Sequence, residues 1–431
     1  MGFEKRVELI GVLRHPKGKD WDTEDYVSSG ARGCFSELSS DQIQREEKSL
    51  EDFEKRKEII FRETSGRGHG AVLDQAEFLY SIDNLSRAST LFLCGPQYAE
   101  HLQQSLRRAT AERSFFEADI QGANQLMEEQ FKLYGKMKSS EIPAEDARFI
   151  LPLNTKTTIQ SKWNARELMH LWSMSQRMNI PKEVRETVEE MYQQAYNEAP
   201  KLMKDRKKNM EVLAWLPSSQ LFAHENSTIE RLINKGKAQG LEGAILLDAS
   251  GKGLMTPFEI ERAVKERDEA LLANMKQYHT NFLTAMSLAA FHQATRQRTW
   301  DQSVQTLPNA IKRSLYVTPP SIQGTEFENE YKNLTEDSIG FVGNNLDNIE
   351  SLGVLPHSLK VYNLIHVNGW NAIHSIGKRT CTEAQWEIRK VATDMADKIR
   401  NYDSDLGAYA VPQGKLYGKC PERNPCGECF K

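Results

Sequence analysis

The run Val7 to Val12 has the short apolar character of a β-strand. Residues 36–61 are charged, with Leu38, Ile43, Leu50, Phe53, Ile59 and Ile60 at helical spacing. Gly66-Arg-Gly-His-Gly70 then predicts a turn, followed by an apolar segment that runs to Cys94. Phe115, Phe116, Ile120, Leu126, Phe131 and Leu133 place a helix over 111–140, which Ile142-Pro143 punctuates before another helix begins near Pro143. A polar Lys/Glu-rich helix is expected over 182–208. Its basic tail, Lys201 to Lys208, marks a domain boundary, after which Met210 to Leu216 reads as a new first strand. Helical patterns come next over 256–298, 358–376 and 382–400. Helices dominate and strands are short, so the expected class is α+β.

The pattern also repeats. Ile150-Leu-Pro-Leu153 precedes Val354-Leu-Pro-His357 by 204 positions, and Asn164 precedes Asn368 by the same 204. Ser86-Arg-Ala-Ser89 precedes Ser287-Leu-Ala-Ala290 by 201. Three landmarks in one order at near-constant spacing predict a tandem repeat of about half the chain. The expected division is 1–205, 206–415 and a cysteine-containing tail, 416–431.

Composition narrows the classes. A chain of 431 residues is long for one core, and 39% hydrophobic residues suffice for folded ones. With 56 basic and 60 acidic residues and no polybasic run, nothing indicates a nucleic-acid surface. No apolar stretch approaches the roughly 20 residues of a membrane span, and the first ten residues lack a signal-peptide core. Six cysteines in a chain of this size do not read as a disulfide framework, so the expected location is the cytoplasm.

Near the C-terminus stands Arg379-Thr-Cys-Thr-Glu-Ala-Gln-Trp-Glu-Ile-Arg389. Earlier come Ala31-Arg-Gly-Cys-Phe-Ser36, Gly68-His-Gly-Ala-Val-Leu73 and Asn164-Ala-Arg166. Together these resemble the flavin-dependent thymidylate synthases. The resemblance implies two tandem domains of that type, each a small sheet with long helices. It also implies methylation of dUMP to dTMP with FAD, using methylenetetrahydrofolate and NADPH as cosubstrates. The family signature is Arg-His-Arg, seven residues, then Ser-x-Arg, its first part near the flavin and its second at the nucleotide. The first half carries Gly95-Pro-Gln97 and then Gln104-Ser105-Leu-Arg107; the second carries Arg296-Gln297-Arg298 and then Thr306-Leu-Pro308. Each half has thus lost a different end.

By this resemblance His69, Asn164, Arg166, Arg296, Gln297 and Arg298 are expected at FAD. Gln104, Ser105, Arg107, Arg148 and Arg379 are expected at dUMP. The chemistry suits such a set: guanidinium groups donate bidentate, charge-assisted bonds to phosphate and stabilise an electron-rich reduced flavin. No protein nucleophile is expected, because the flavin and the folate carry the hard steps. Gln385-Trp-Glu-Ile-Arg389 reads as a helix-packing signature, and Cys94 as a buried small apolar residue. Family members build active sites between subunits of a homotetramer. A fused pair is therefore expected to form a homodimer resembling that tetramer, with one site retained from complementary motifs. Two alternatives stay open: a pseudoenzyme that binds flavin or nucleotide without turnover, and C5 modification of another uracil nucleotide. The tail thiols Cys420, Cys426 and Cys429, with Cys381 or His374, have a spacing that suits zinc, against the plainer reading of a free terminus.

Overall fold

The computed structural model describes residues 4–14, 21–107, 114–204, 217–236 and 238–430. The chain divides into two compact units. The first is Met1–Asp119 with Leu153–Ser218, and the second is Ile120–Pro152 with Ser219–Lys431.

The first unit is built on four antiparallel strands, β1 (Arg6–Val12), β2 (Glu77–Ser86), β3 (Glu100–Gln103) and β4 (Lys156–Asn164), in the order β1-β2-β4-β3. Along β4 every second residue is buried, so Thr157, Ile159, Ser161 and Trp163 share the inner face. Phe78, Tyr80 and Ile82 of β2 do the same, and Phe78 stands opposite Trp163. The Tyr80 hydroxyl satisfies itself on the Met191 carbonyl at 2.7 Å, in the covering helix Lys182–Glu198. Lys57 is also buried here, held by Asp25 and Glu54 at 2.7 Å each. Burial works against its charge, but the bonds to Asp25 and Glu54 outweigh it and leave its pKa raised.

The second unit repeats the plan. β5 (Gly243–Ser250), β6 (His279–Ser287), β7 (Asp301–Val304) and β8 (Lys360–Asn368) form an antiparallel sheet in the order β5-β6-β8-β7. Ile229, Ile233, Ala238, Leu283, Ala285 and Tyr362 form a core on one side of it. The segment Ile120–Pro152 belongs to this unit. Its helix Ala123–Ser139 packs on the helix Glu328–Asn344, and Gln130 donates to Ser338 Oγ and to the Val354 carbonyl at 3.1 Å each. Farther along, the backbone N–H groups of His357 and Ser358 donate to the carbonyls of Leu151 and Phe149 at 3.0 and 2.8 Å.

The short N-terminal strand, the Gly66–Gly70 turn and a helix near 382–400 (Trp386–Tyr402) stand as the sequence predicts. Two long helical patterns do not. Residues 256–298 divide into the helices Pro257–Glu266 and Glu269–Met275, strand β6 and the helix Leu288–Ala294. Within 358–376, residues 360–368 are strand β8 and only 369–376 are helical. β6 is buried without interruption from Phe282 to Ser287 and so lacks the alternation of a half-exposed strand, while β8 begins with the buried run Val361–Asn363 before it alternates. Val361, Tyr362, Ile365 and Val367 then favour the extended form. The expected helix over 111–140 begins only at Ala123, after the left-handed Gly122; Phe115 instead bridges to Thr155. The strand expected at Met210–Leu216 and residues 205–208 of the polar helix lie outside the described residues.

Candidate functional site

The same joint recurs at the ends of the central strands in both units. Ser86 closes β2 and caps the helix Arg87–Leu93, its Oγ accepting from Ser89 N at 2.9 Å and donating to Glu183 at 2.6 Å. Ser287 closes β6 and caps Leu288–Ala294, its Oγ accepting from Ala290 N at 3.1 Å and donating to Glu387. Asn164 ends β4 and caps the helix Ala165–Arg177, accepting from Glu167 N at 2.8 Å. Asn368 ends β8 and caps the turn Gly369–Asn371, accepting from Asn371 N at 2.9 Å. Each cap satisfies an N–H that the first helical turn leaves open.

In the first unit lie His69, Gln104, Ser105, Arg107, Asn164 and Arg166. His69 is exposed at the start of the short helix Gly70–Leu73. The Asn164 side chain is engaged as a helix cap, and Arg166 pairs with Asp74 at 2.7 Å. Burial raises the pKa of Asp74 despite that pair. Gln104 continues the ladder beyond β3: its N–H donates to the Thr158 carbonyl and its own carbonyl accepts from Arg87 at 2.9 Å. Exposed Ser105 accepts from the N–H of half-buried Arg107 at 3.2 Å.

In the second unit lie Arg148, Arg296, Gln297, Arg298 and Arg379. Arg296 and Arg298 are exposed in the turn after Leu288–Ala294, on either side of half-buried Gln297. With its amide oxygen turned to the guanidinium, Gln297 accepts from Arg379 Nη2 at 2.6 Å and Nε at 2.8 Å. A position expected at the flavin and one expected at the nucleotide are therefore in direct contact. Arg148 is buried and donates from Nε to the Glu145 carbonyl at 3.0 Å. Although Arg148 and Arg379 belong to different halves of the sequence, one unit holds both.

The motif Gln385–Arg389 anchors that unit. Gln385 caps the helix Trp386–Tyr402 by accepting from Glu387 N and Ile388 N at 3.1 and 3.0 Å. Trp386 donates to Asp146 at 2.8 Å and stacks on Phe149, ring centroids 6.0 Å apart. Glu387 accepts from Ser287 N at 2.7 Å. Burial pushes its carboxyl up, opposed by the bonds from Ser287. Sequence reading missed Asp74, Asp146 and Glu183. Only Glu183 left a signal, standing 204 positions before Glu387 as Asn164 does before Asn368.

In the tail, as among all the described residues, no three His, Cys, Asp or Glu side chains stand at metal-binding spacing. Its thiols are nonetheless gathered. Cys381, Cys420 and Cys429 line one cavity of about 130 Å³ with Arg379. Exposed Cys426 touches Thr382 Oγ1 at 3.0 Å, and the Thr382 hydroxyl and Glu428 N–H hold its thiol below the usual range. Burial raises Cys429, and Cys381, Cys420 and Cys426 add to the rise. Cys94 is buried, as its apolar setting requires. No helix among the described residues is long and apolar enough to cross a membrane.

The family described as thymidylate synthase complementing protein matches residues 19–201 and 267–402. A flavin-dependent thymidylate synthase of Geobacter sulfurreducens is 29% identical over 207 residues, covering 46% of this chain and 85% of the relative. One from Haloarcula marismortui is 24% identical over 219 residues, covering 42% and 89%. A solved UMP/dUMP methylase, PolB from Streptomyces cacaoi, aligns at 16% identity and a TM-score of 0.38 over 50% of this chain and 98% of its own. With most of its length matched in two successive segments, the chain belongs to the thymidylate synthase complementing protein family.

Proposed function

We propose that the protein methylates C5 of dUMP to give dTMP, with methylenetetrahydrofolate as carbon donor, NADPH as reductant and FAD as cofactor, and that its halves arose by tandem duplication. The observation that carries the reading is the contact of Gln297 with Arg379. Reduction of a carbon unit on the uracil ring requires flavin and nucleotide side by side, and this contact joins the positions assigned to each.

The donor set fits an anionic ligand. Arg296 and Arg298 present two guanidinium groups at the surface, where they suit a reduced flavin or its phosphates. Gln297 holds the Arg379 guanidinium by two bonds, which fixes its plane as recognition of a phosphate would need. In the first unit Asp74 holds Arg166 through one contact at 2.7 Å. Bound FAD supplies the two-electron reducing chemistry; these side chains bind and orient. Repetition of strand order and of the Ser–Glu joint supports duplication.

The test is the visible spectrum of the purified protein with its released cofactor identified, followed by dTMP formation from dUMP, methylenetetrahydrofolate and NADPH. Bound FAD with dTMP formation is expected. Bound FAD with turnover of a different uracil nucleotide would move the substrate. A protein that takes up no added FAD would leave a pseudoenzyme.

A further inference from the structure

The C-terminal segment poses a physical problem. From Gly418 to Glu428 it carries no large apolar side chain and is almost wholly exposed. Ordering each residue costs about 1–2 kcal/mol of backbone entropy, and apolar burial here offsets little of that. Four of the six cysteines stand where this segment meets the loop before Trp386–Tyr402.

Each thiol is placed by its own contact. Cys381 lines a cavity with Cys420 and Cys429. Cys426 rests on Thr382, the next residue after Cys381. Cys429 packs against Gly414, where an added Cβ would meet its sulfur at 2.8 Å and the Cα of Cys420 at 3.4 Å. Between Cys426 and Cys429 the backbone turns through left-handed Gly427, at φ +77°. That tight reversal suits two ligands separated by two residues. Lys378 and Arg379 line the same cavity, and their charge would balance the net negative charge of a divalent ion bound by four thiolates.

We propose that Cys381, Cys420, Cys426 and Cys429 form a structural zinc site that staples the tail to the loop carrying Arg379. No three of these sulfurs already stand at metal-binding spacing, so the four must draw in to about 2.3 Å from one ion, in tetrahedral arrangement. Each thiol gives up its proton to solvent on ligation, so binding releases four protons if all four begin as thiols. The site is closed by protein ligands and takes no part in turnover. It is independent of the assigned reaction.

The experiment uses the full chain purified under reducing conditions without chelator. Metal content is measured by mass spectrometry, and zinc release is followed on addition of a mercurial thiol reagent. About one zinc per chain is expected, with release at least tenfold slower to chelator alone. Cobalt exchanged into the wild-type protein should give tetrahedral ligand-field bands to the red of oxidised-flavin absorption. Cys381→Ser and Cys429→Ser should each lower zinc retention at least tenfold, while flavin content stays at the wild-type level. Wild-type protein that keeps less than about a tenth of an equivalent after zinc addition and gel filtration would overturn the proposal. So would a Cys420–Cys429 or Cys426–Cys429 disulfide in the reduced preparation. A colourless protein with one zinc would sink the flavin reading and leave this one standing.

Discussion

Glu387 offers a sharp test of how the second unit is held together. Its carboxylate is buried and accepts from both the backbone N–H and the hydroxyl of Ser287, the cap of Leu288–Ala294. Glu387→Ala strands two buried donors, each costing about 1–3 kcal/mol. The expected loss is therefore about 2–6 kcal/mol. Glu387→Gln keeps an acceptor for the backbone N–H, so its cost should stay near 1 kcal/mol at acid pH. The two variants also separate through pH. Burial holds the folded carboxyl above its ordinary value. The folded state thus binds the proton more tightly than the unfolded chain, whose value is about 4.3. The resulting stability is fully present below the unfolded value and is lost as pH rises through the folded one. Glutamine does not titrate, so Glu387→Gln should lose less stability than wild type over that rise. Urea unfolding followed by circular dichroism from acid to neutral pH measures both slopes. Parallel wild-type and Glu387→Gln profiles would refute the raised carboxyl, and a Glu387→Ala loss under 1 kcal/mol would refute the latch.

Other consequences can be checked independently. Lys57→Ala leaves Asp25 buried without its ammonium partner and should destabilise the first unit by about 3–5 kcal/mol in denaturant unfolding. Arg296→Ala and Arg166→Ala should each reduce flavin occupancy by about tenfold with the circular dichroism spectrum unchanged; full occupancy in both would show those positions misassigned. Arg379→Lys removes the fork that Gln297 holds and should raise the dUMP dissociation constant about tenfold or more, measured by titration calorimetry.

The sequence exposed its chemistry more readily than its geometry. Arg379 and Gln385–Arg389 stand out as a motif, and the repeated Asn164 and Asn368 mark joints that the structure shows as helix caps. The partners of those residues were hidden. Gln297 meets Arg379, and Phe149 meets Trp386, across long sequence separations that carry no local pattern. β6 loses the period of two because it is buried continuously from Phe282 to Ser287, and in β8 the buried run Val361–Asn363 breaks that period at the start of the strand. β4 does keep that period, but its inward positions include Thr157 and Ser161, which mute the apolar signal.

The path of the chain carries a warning for anyone who would dissect it. Residues 120–152 come early in the gene, yet they complete the second unit, where Gln130 answers Ser338 and the Val354 carbonyl. Expressing residues 219–431 alone would discard the helix Ala123–Ser139 and bare the face of Glu328–Asn344 that it covers. A workable excision must carry 120–152 along, by circular permutation or as a second polypeptide added in trans. Any recombination that exchanged only the later half of the gene would inherit a body missing one of its own walls.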